Sequence, residues 1–218
     1  IAPIGYHGAL LRLPVAGLRQ VMARDAVALV LADQVMFLRP QAIIRAAGVE
    51  PLPPEGREVP PAGVRVDGAP IAALLDGFPI QQHRLLANRL IVDDGDDLEE
   101  RAVVNRRAHG TAMASLILHG DLNRVEESLA RPLLVRPIMV TSEGGEETTD
   151  PTRLLIDTVY KAVVRMKDPG TPGGPSAPDV FLINLSMGDR RRPFSGMMSP
   201  WGRLLDYLAA RYNVLFLV

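Results

Sequence analysis

The run "APIAALLD", Ala69 to Asp76, decides how the chain is read. Residues Ile71 to Leu75 are apolar without a break, so a strand here has no face to give to water and is buried on both sides. It ends abruptly on an acid. Comparable runs follow at "LLVRPIMV" (Leu133–Val140), "DVFLINLSMG" (Asp179–Gly188) and "NVLFLV" (Asn213–Val218). Helical spacing separates them. One helix is opened by His109. A second runs from about Thr152 to Lys167 with Leu155, Val159, Val163 and Met166 on one face. A third runs from about Pro200 to Tyr212 with Trp201, Leu204, Leu205 and Leu208 inward. Buried strands alternating with helices predict an α/β fold, a doubly wound parallel sheet covered on both faces.

In such a sheet the chemistry gathers outside the carboxyl ends of the strands. Asp76 follows the first run, and Ser186, Met187, Gly188 and Asp189 follow "VFLINL". His109 stands at a helix mouth, with Gly110 and Thr111 permitting close approach of backbone. An acid, a base and a glycine-containing polar turn at three separate strand or helix mouths meet the needs of acyl transfer. The carboxylate fixes an imidazole tautomer, and the imidazole takes a proton from a nucleophile.

Order and spacing here resemble the subtilisin-like serine peptidases, the subtilase or S8 family, over about residues 70–218. The resemblance implies a subtilisin-type sheet, Asp76 and His109 as catalytic residues, and "INLSMG" as a strand whose Ser186, Met187 and Gly188 pair with the backbone of a polypeptide substrate. "HGTAMASLILHG", His109 to Gly120, contains letters of both the histidine and the serine motif of that family. Its place before "NLSMG" and shortly after Asp76 assigns it to the histidine. The nucleophile is then expected beyond Val218, because Ser115, Ser186, Ser195 and Ser199 lack the family's context. The chain opens on Ile1 and stops within an apolar run, which together predict a piece of a longer protein whose cut sheet edge favours self-association. "HRLLANRL" and "MSPWGRLLDYLAARYNVLF" look like bacterial subtilases encoded beside an AAA-type ATPase, implying that ATPase as a partner. One departure stands out. The family has Ser or Thr and then Gly after the aspartate, whereas this chain has Gly77 and Phe78, which puts the orientation of the aspartate in question. The alternative is a non-catalytic peptide-binding or regulatory module on the same scaffold.

Residues 1–48 are expected to form a small β-α-β piece: a strand at "YHGALLRLP", a helix from Val15 to about Arg24, and a strand at "AVALVLADQVMFLRP". It looks like the last half of a subtilase inhibitory prodomain. "VEPLPPEGREVPPAG", with five prolines, reads as an extended linker within residues 49–68, leaving 69–218 as the peptidase part.

Composition excludes other classes. The 218 residues carry a net charge of −1, so no basic field attracts nucleic acid or an anionic membrane. No run reaches the roughly 20 apolar residues of a membrane helix. Cysteine is absent, which fits a reducing, cytoplasmic setting. Twenty-two arginines against two lysines read as a compositional bias, the alternative being guanidinium clamps for carboxylates. "VDDGDDLEE" reads as a solvated acidic loop, with calcium ligation as its rival. "TSEGGEETTD" and "DPGTPGGPSAPD" read as surface loops. His7, His83 and His119 lack spaced partners and are expected to be surface or core residues. No cofactor is expected.

Overall fold

The computed structural model describes residues 1–23, 39, 41, 43–46, 65–122, 124, 127–187, 196 and 198–218. Seven strands are found among them: β1 (Ala72–Asp76), β2 (Leu90–Val92), β3 (Leu133–Pro137), β4 (Met139–Thr141), β5 (Glu147–Thr149), β6 (Leu182–Asn184) and β7 (Leu215–Leu217). Four α-helices accompany them: α1 (Val15–Ala23), α2 (Ala108–His119), α3 (Leu155–Lys167) and α4 (Pro200–Tyr212).

Five strands form one parallel sheet in the order β2-β3-β1-β6-β7, and β4 and β5 form an antiparallel hairpin. The expected α/β class is therefore present, with β1 at the centre. Leu74 of β1 lies opposite Val135 of β3 and Asn184 of β6. Because side chains alternate across a strand, Leu74 joins Leu133, Val135, Ala114 and Leu118 on the side covered by α2. Ala73 and Leu75 join Leu134, Ile183 and the apolar stripes of α3 and α4 on the other side. This two-sided covering is why "IAALL" contains no polar residue.

The helices end where local chemistry dictates. In α4, Ser199 accepts a hydrogen bond from the Gly202 amide (3.1 Å), Pro200 occupies the first turn, and Asn213 closes the helix with a φ of 51°. Its Leu204 and Leu208 are fully buried, while Trp201 and Leu205 are half-buried at the rim. In α3, Val159, Val163 and Met166 are fully buried, and each such side chain contributes roughly 1.5–3 kcal/mol by leaving water. Strand β7 lies at the sheet edge with Leu215 and Leu217 exposed.

The amino-terminal region differs from its expectation. Helix α1 is present, but Tyr6–Pro14 forms no strand, and Leu10, Leu11 and Leu13 stay exposed. Among the described residues no strand pairs with Tyr6–Pro14, and apolar side chains alone do not make a strand. The second expected strand, from 26 to 40, falls almost wholly outside the described residues, as does most of the linker expected over 49–68. Two short pieces dock onto the main body. Ile4 enters the core beside α4, and Ile44 to Ala46 run along β5: the Ile44 amide donates to the Thr149 hydroxyl (3.0 Å) and the Ala46 amide to the Glu147 carbonyl (2.9 Å).

The acidic loop is also unlike its expectation. Arg136, reaching from β3 with its side chain only 3% exposed, bonds the Asp93 carbonyl (2.8 Å) and the Asp96 carboxylate. Arg165 holds both Asp93 oxygens (2.9 and 3.0 Å), and Arg153 takes the other Asp96 oxygen (2.7 Å). Asp94 receives the Leu98 and Glu99 amides (2.8 and 2.9 Å). The loop is thus a half-buried knot tied by three arginines, and among the described residues no group of three or more side chains is arranged to hold a metal ion. These three arginines act as guanidinium clamps for carboxylates. Arg136→Met leaves Asp93 and Asp96 short of a buried partner and is expected to destabilise the fold by about 3 kcal/mol. Urea unfolding of the variant checks this, with an unchanged midpoint counting against the knot.

Candidate active site

Strand β1 delivers Asp76 to the carboxyl end of the sheet, where the side chain is fully buried. Helix α2 begins directly above it and brings His109 down. The His109 Nδ1 to Asp76 Oδ1 distance is 2.6 Å, and the imidazole is 12% exposed. A carboxylate only accepts hydrogen bonds, so Nδ1 carries the proton and Nε2 keeps its lone pair. Among the described residues nothing hydrogen-bonds Nε2. The Asp76 hydrogen bond raises the pKa of His109 above the ordinary histidine value; burial opposes this, and attraction to the Asp76 charge adds to it.

Close packing of backbone makes this approach possible. Gly77 and Gly110 sit face to face: a Cβ on Gly110 would lie 2.2 Å from the Gly77 carbonyl oxygen. The Gly77 amide donates to Asp76 Oδ1 (2.6 Å), which orients the carboxylate without a side-chain hydroxyl at position 77. Thr111 completes the staple, accepting the Ile80 amide (2.9 Å) and donating its hydroxyl to the Arg107 carbonyl. Phe78 fits this frame. Its ring is buried, and the Arg107 guanidinium stacks 4.4 Å from its centroid. An open cleft of about 280 Å³ lies beside the start of α2, lined by Ile80, Gln81, Gln82, Glu99, Val104 and Arg107.

A third group at the site was not anticipated. Glu147 of β5 accepts the His109 amide on Oε2 (2.7 Å), so a neighbouring strand caps a helix that has no side-chain cap of its own. Its other oxygen, Oε1, lies over Gly77, where an added Cβ would meet it at 2.0 Å. Burial raises the Glu147 pKa; the His109 amide and His109 charge work against that rise, and the nearby Asp76 charge reinforces it. Two buried carboxylate oxygens, Asp76 Oδ2 and Glu147 Oε1, have no hydrogen-bond partner. The polar run around Glu147, expected as a surface loop, is the hairpin β4–β5 with Glu147, Thr148, Thr149 and Asp150 buried. A hairpin signal was present: Gly144-Gly145 centred between Val140-Thr141 and Thr148-Thr149, with Gly145 at a φ of 78°.

The remaining expected site residues divide. Ser186 follows β6, the sheet neighbour of β1, and donates its hydroxyl to Asn184 Oδ1 (2.8 Å). Met187 is 6% exposed and packs into the main core, with its amide donating to the Leu185 carbonyl (2.7 Å). Gly188 lies outside the described residues. No hydrogen bond joins Ser186 to the Asp76–His109 pair. Of the other histidines, His119 is a buried structural residue between the Ser128 hydroxyl (2.7 Å) and the Leu85 carbonyl (2.8 Å). Among the described residues, no helix is long and apolar enough to cross a membrane. Comparison with family models and with curated proteins returns no match to this chain.

Proposed function

We propose that this chain carries the acid and base of a serine peptidase of subtilisin type, with Asp76 orienting His109 and His109 acting as general base and then general acid. The observation that carries this reading is the 2.6 Å contact between His109 Nδ1 and Asp76 Oδ1 at the carboxyl end of the central strand. A buried anion on Nδ1 leaves Nε2 as the basic atom and stabilises the imidazolium that forms when a proton is taken. The charge develops next to a carboxylate that is already in place, so little reorganisation accompanies the step. Supporting this, the ring is held from both ends, by Asp76 at the side chain and by Glu147 at the backbone.

The nucleophile in this reading is a serine outside the 218 residues, and a polypeptide substrate lies along the end of β6 near Ser186. A fluorophosphonate probe tests it. The 218-residue chain alone is expected to take up no label at Ser115, Ser128 or Ser186. A longer chain that carries the serine is expected to be labelled, and to lose labelling with His109→Ala. Labelling of a serine within the 218 residues, or labelling indifferent to His109, overturns the assignment. A longer chain with the Asp76–His109 pair intact but no reactive serine favours the peptide-binding module instead.

A further inference from the structure

Deepening that reading, we propose that Glu147 is a positioning residue held as the neutral carboxylic acid, and that its proton is shared with the free oxygen of Asp76. Three observations lead there. First, Asp76 Oδ2 and Glu147 Oε1 are both buried without a partner, and an isolated buried acceptor costs about 1–3 kcal/mol. Gly77 lies beside both residues: its amide bonds Asp76 Oδ1, and Glu147 Oε1 occupies the space its missing side chain leaves. Two ionised carboxylates cannot satisfy each other. One proton between them satisfies both, as happens wherever two carboxyl groups share a dry site.

Second, the charges do not balance otherwise. From β1 the group facing Glu147 is Asp76, and from α2 it is His109 with the amides of His109 and Gly110. On its own hairpin, Glu146 is paired outward with Arg45 (2.7 Å), and Arg106 lies against Gly145 at the turn. Beyond β5, Asp150 is bound by Arg101 (2.5 Å). With Glu147 neutral, the protonated His109 and Asp76 cancel. With Glu147 ionised, the buried cluster carries an uncompensated negative charge in every state of His109. Third, Glu147 is built into the site by its backbone, since Ala46 donates to its carbonyl (2.9 Å) and β4 fixes its strand. It cannot swing out to water to ionise cheaply.

The step is a hydrogen bond and not a transfer. The O–H of Glu147 donates to Asp76 Oδ2, Asp76 remains the anion, and its other oxygen stays on His109. Glu147 thereby supplies from a neighbouring strand the side-chain donor that Gly77 lacks.

Infrared spectroscopy at neutral pH reads the proton directly. The native chain is expected to show the carbonyl stretch of a protonated carboxylic acid, and Glu147→Gln to lack it. The glutamine amide keeps both a donor and an acceptor, so the His109 titration midpoint, followed by proton NMR, is expected to hold in Glu147→Gln. In Glu147→Ala, by contrast, the His109 amide resonance is expected to move. Absence of the acid band, or a His109 midpoint that falls by about one unit in Glu147→Gln as removal of a nearby anion requires, overturns the proposal. If Glu147→Gln fails to fold, carbon-13 titration of glutamate carboxyls in the native chain decides, since one must keep the protonated shift at pH 7. None of these readings depends on peptide hydrolysis. A band present in a protein that cleaves nothing leaves the Glu147 inference standing and removes the peptidase reading.

Discussion

Gly110→Ala is expected to destabilise the protein by more than about 4 kcal/mol, a value at the far end of what a single methyl group does. Alanine is the better helix former, so propensity alone predicts the opposite sign. Packing decides the outcome. The new Cβ would sit 2.2 Å from the Gly77 carbonyl oxygen and 2.6 Å from its carbon, both backbone atoms that have no rotamer to retreat into. To relieve the clash α2 must lift from the end of β1. That lift separates His109 from Asp76 and the His109 amide from Glu147. Gly202→Ala is the control, because its nearest neighbours there are side-chain atoms at 3.5 and 3.7 Å. Thermal unfolding of the two variants checks this, and a Gly110→Ala protein as stable as Gly202→Ala contradicts the close contact.

Asp76→Asn is expected to leave the fold intact and to lower His109-dependent reactivity by on the order of 10⁴-fold, measured as the rate of fluorophosphonate labelling in a chain that holds the serine. Asparagine is nearly the same shape and can still contact Nδ1, yet it can present its amide N–H there and fix the wrong tautomer. It also removes the anion that stabilises the imidazolium. A pH signature accompanies the loss. The folded-state pKa of His109 is raised, so the pair stabilises the fold fully at pH below the ordinary histidine value, and that increment is lost as pH rises through the raised one. Asp76→Asn is expected to flatten this dependence. Equal labelling rates in parent and variant contradict a catalytic role for Asp76.

The parts of this molecule that were readable in advance share one property, which is that hydrophobic burial set them. "IAALL" buries both faces, so β1 and the position of Asp76 follow from its letters. The helices at Leu155–Lys167 and Pro200–Tyr212 follow from their apolar stripes. His109 is the exception, visible because chain order and the glycine beside it placed it at a helix mouth. What escaped was set by polar groups meeting across long separations. Glu147 is buried by the amide of a residue 38 positions away, and nothing in "GGEETTD" records that partner. Arg136 meets Asp93 and Asp96 across 43 and 40 positions, which only the register of β2 on β3 brings about. Phe78, an apparent misfit after the aspartate, proves to be the surface on which Arg107 stacks. Tyr6–Pro14 fails in the other direction, being apolar enough for a strand yet paired with none among the described residues.

The proposed chemistry depends on the bond between His109 Nδ1 and Asp76, and nitrogen-15 NMR of the imidazole as a function of pH measures that bond most directly. With the bond in place, Nδ1 bears the proton in the neutral ring, and the His109 midpoint lies above the ordinary histidine value and drops in Asp76→Asn. A ring that carries its neutral-state proton on Nε2, with an ordinary midpoint that Asp76→Asn leaves unmoved, contradicts it.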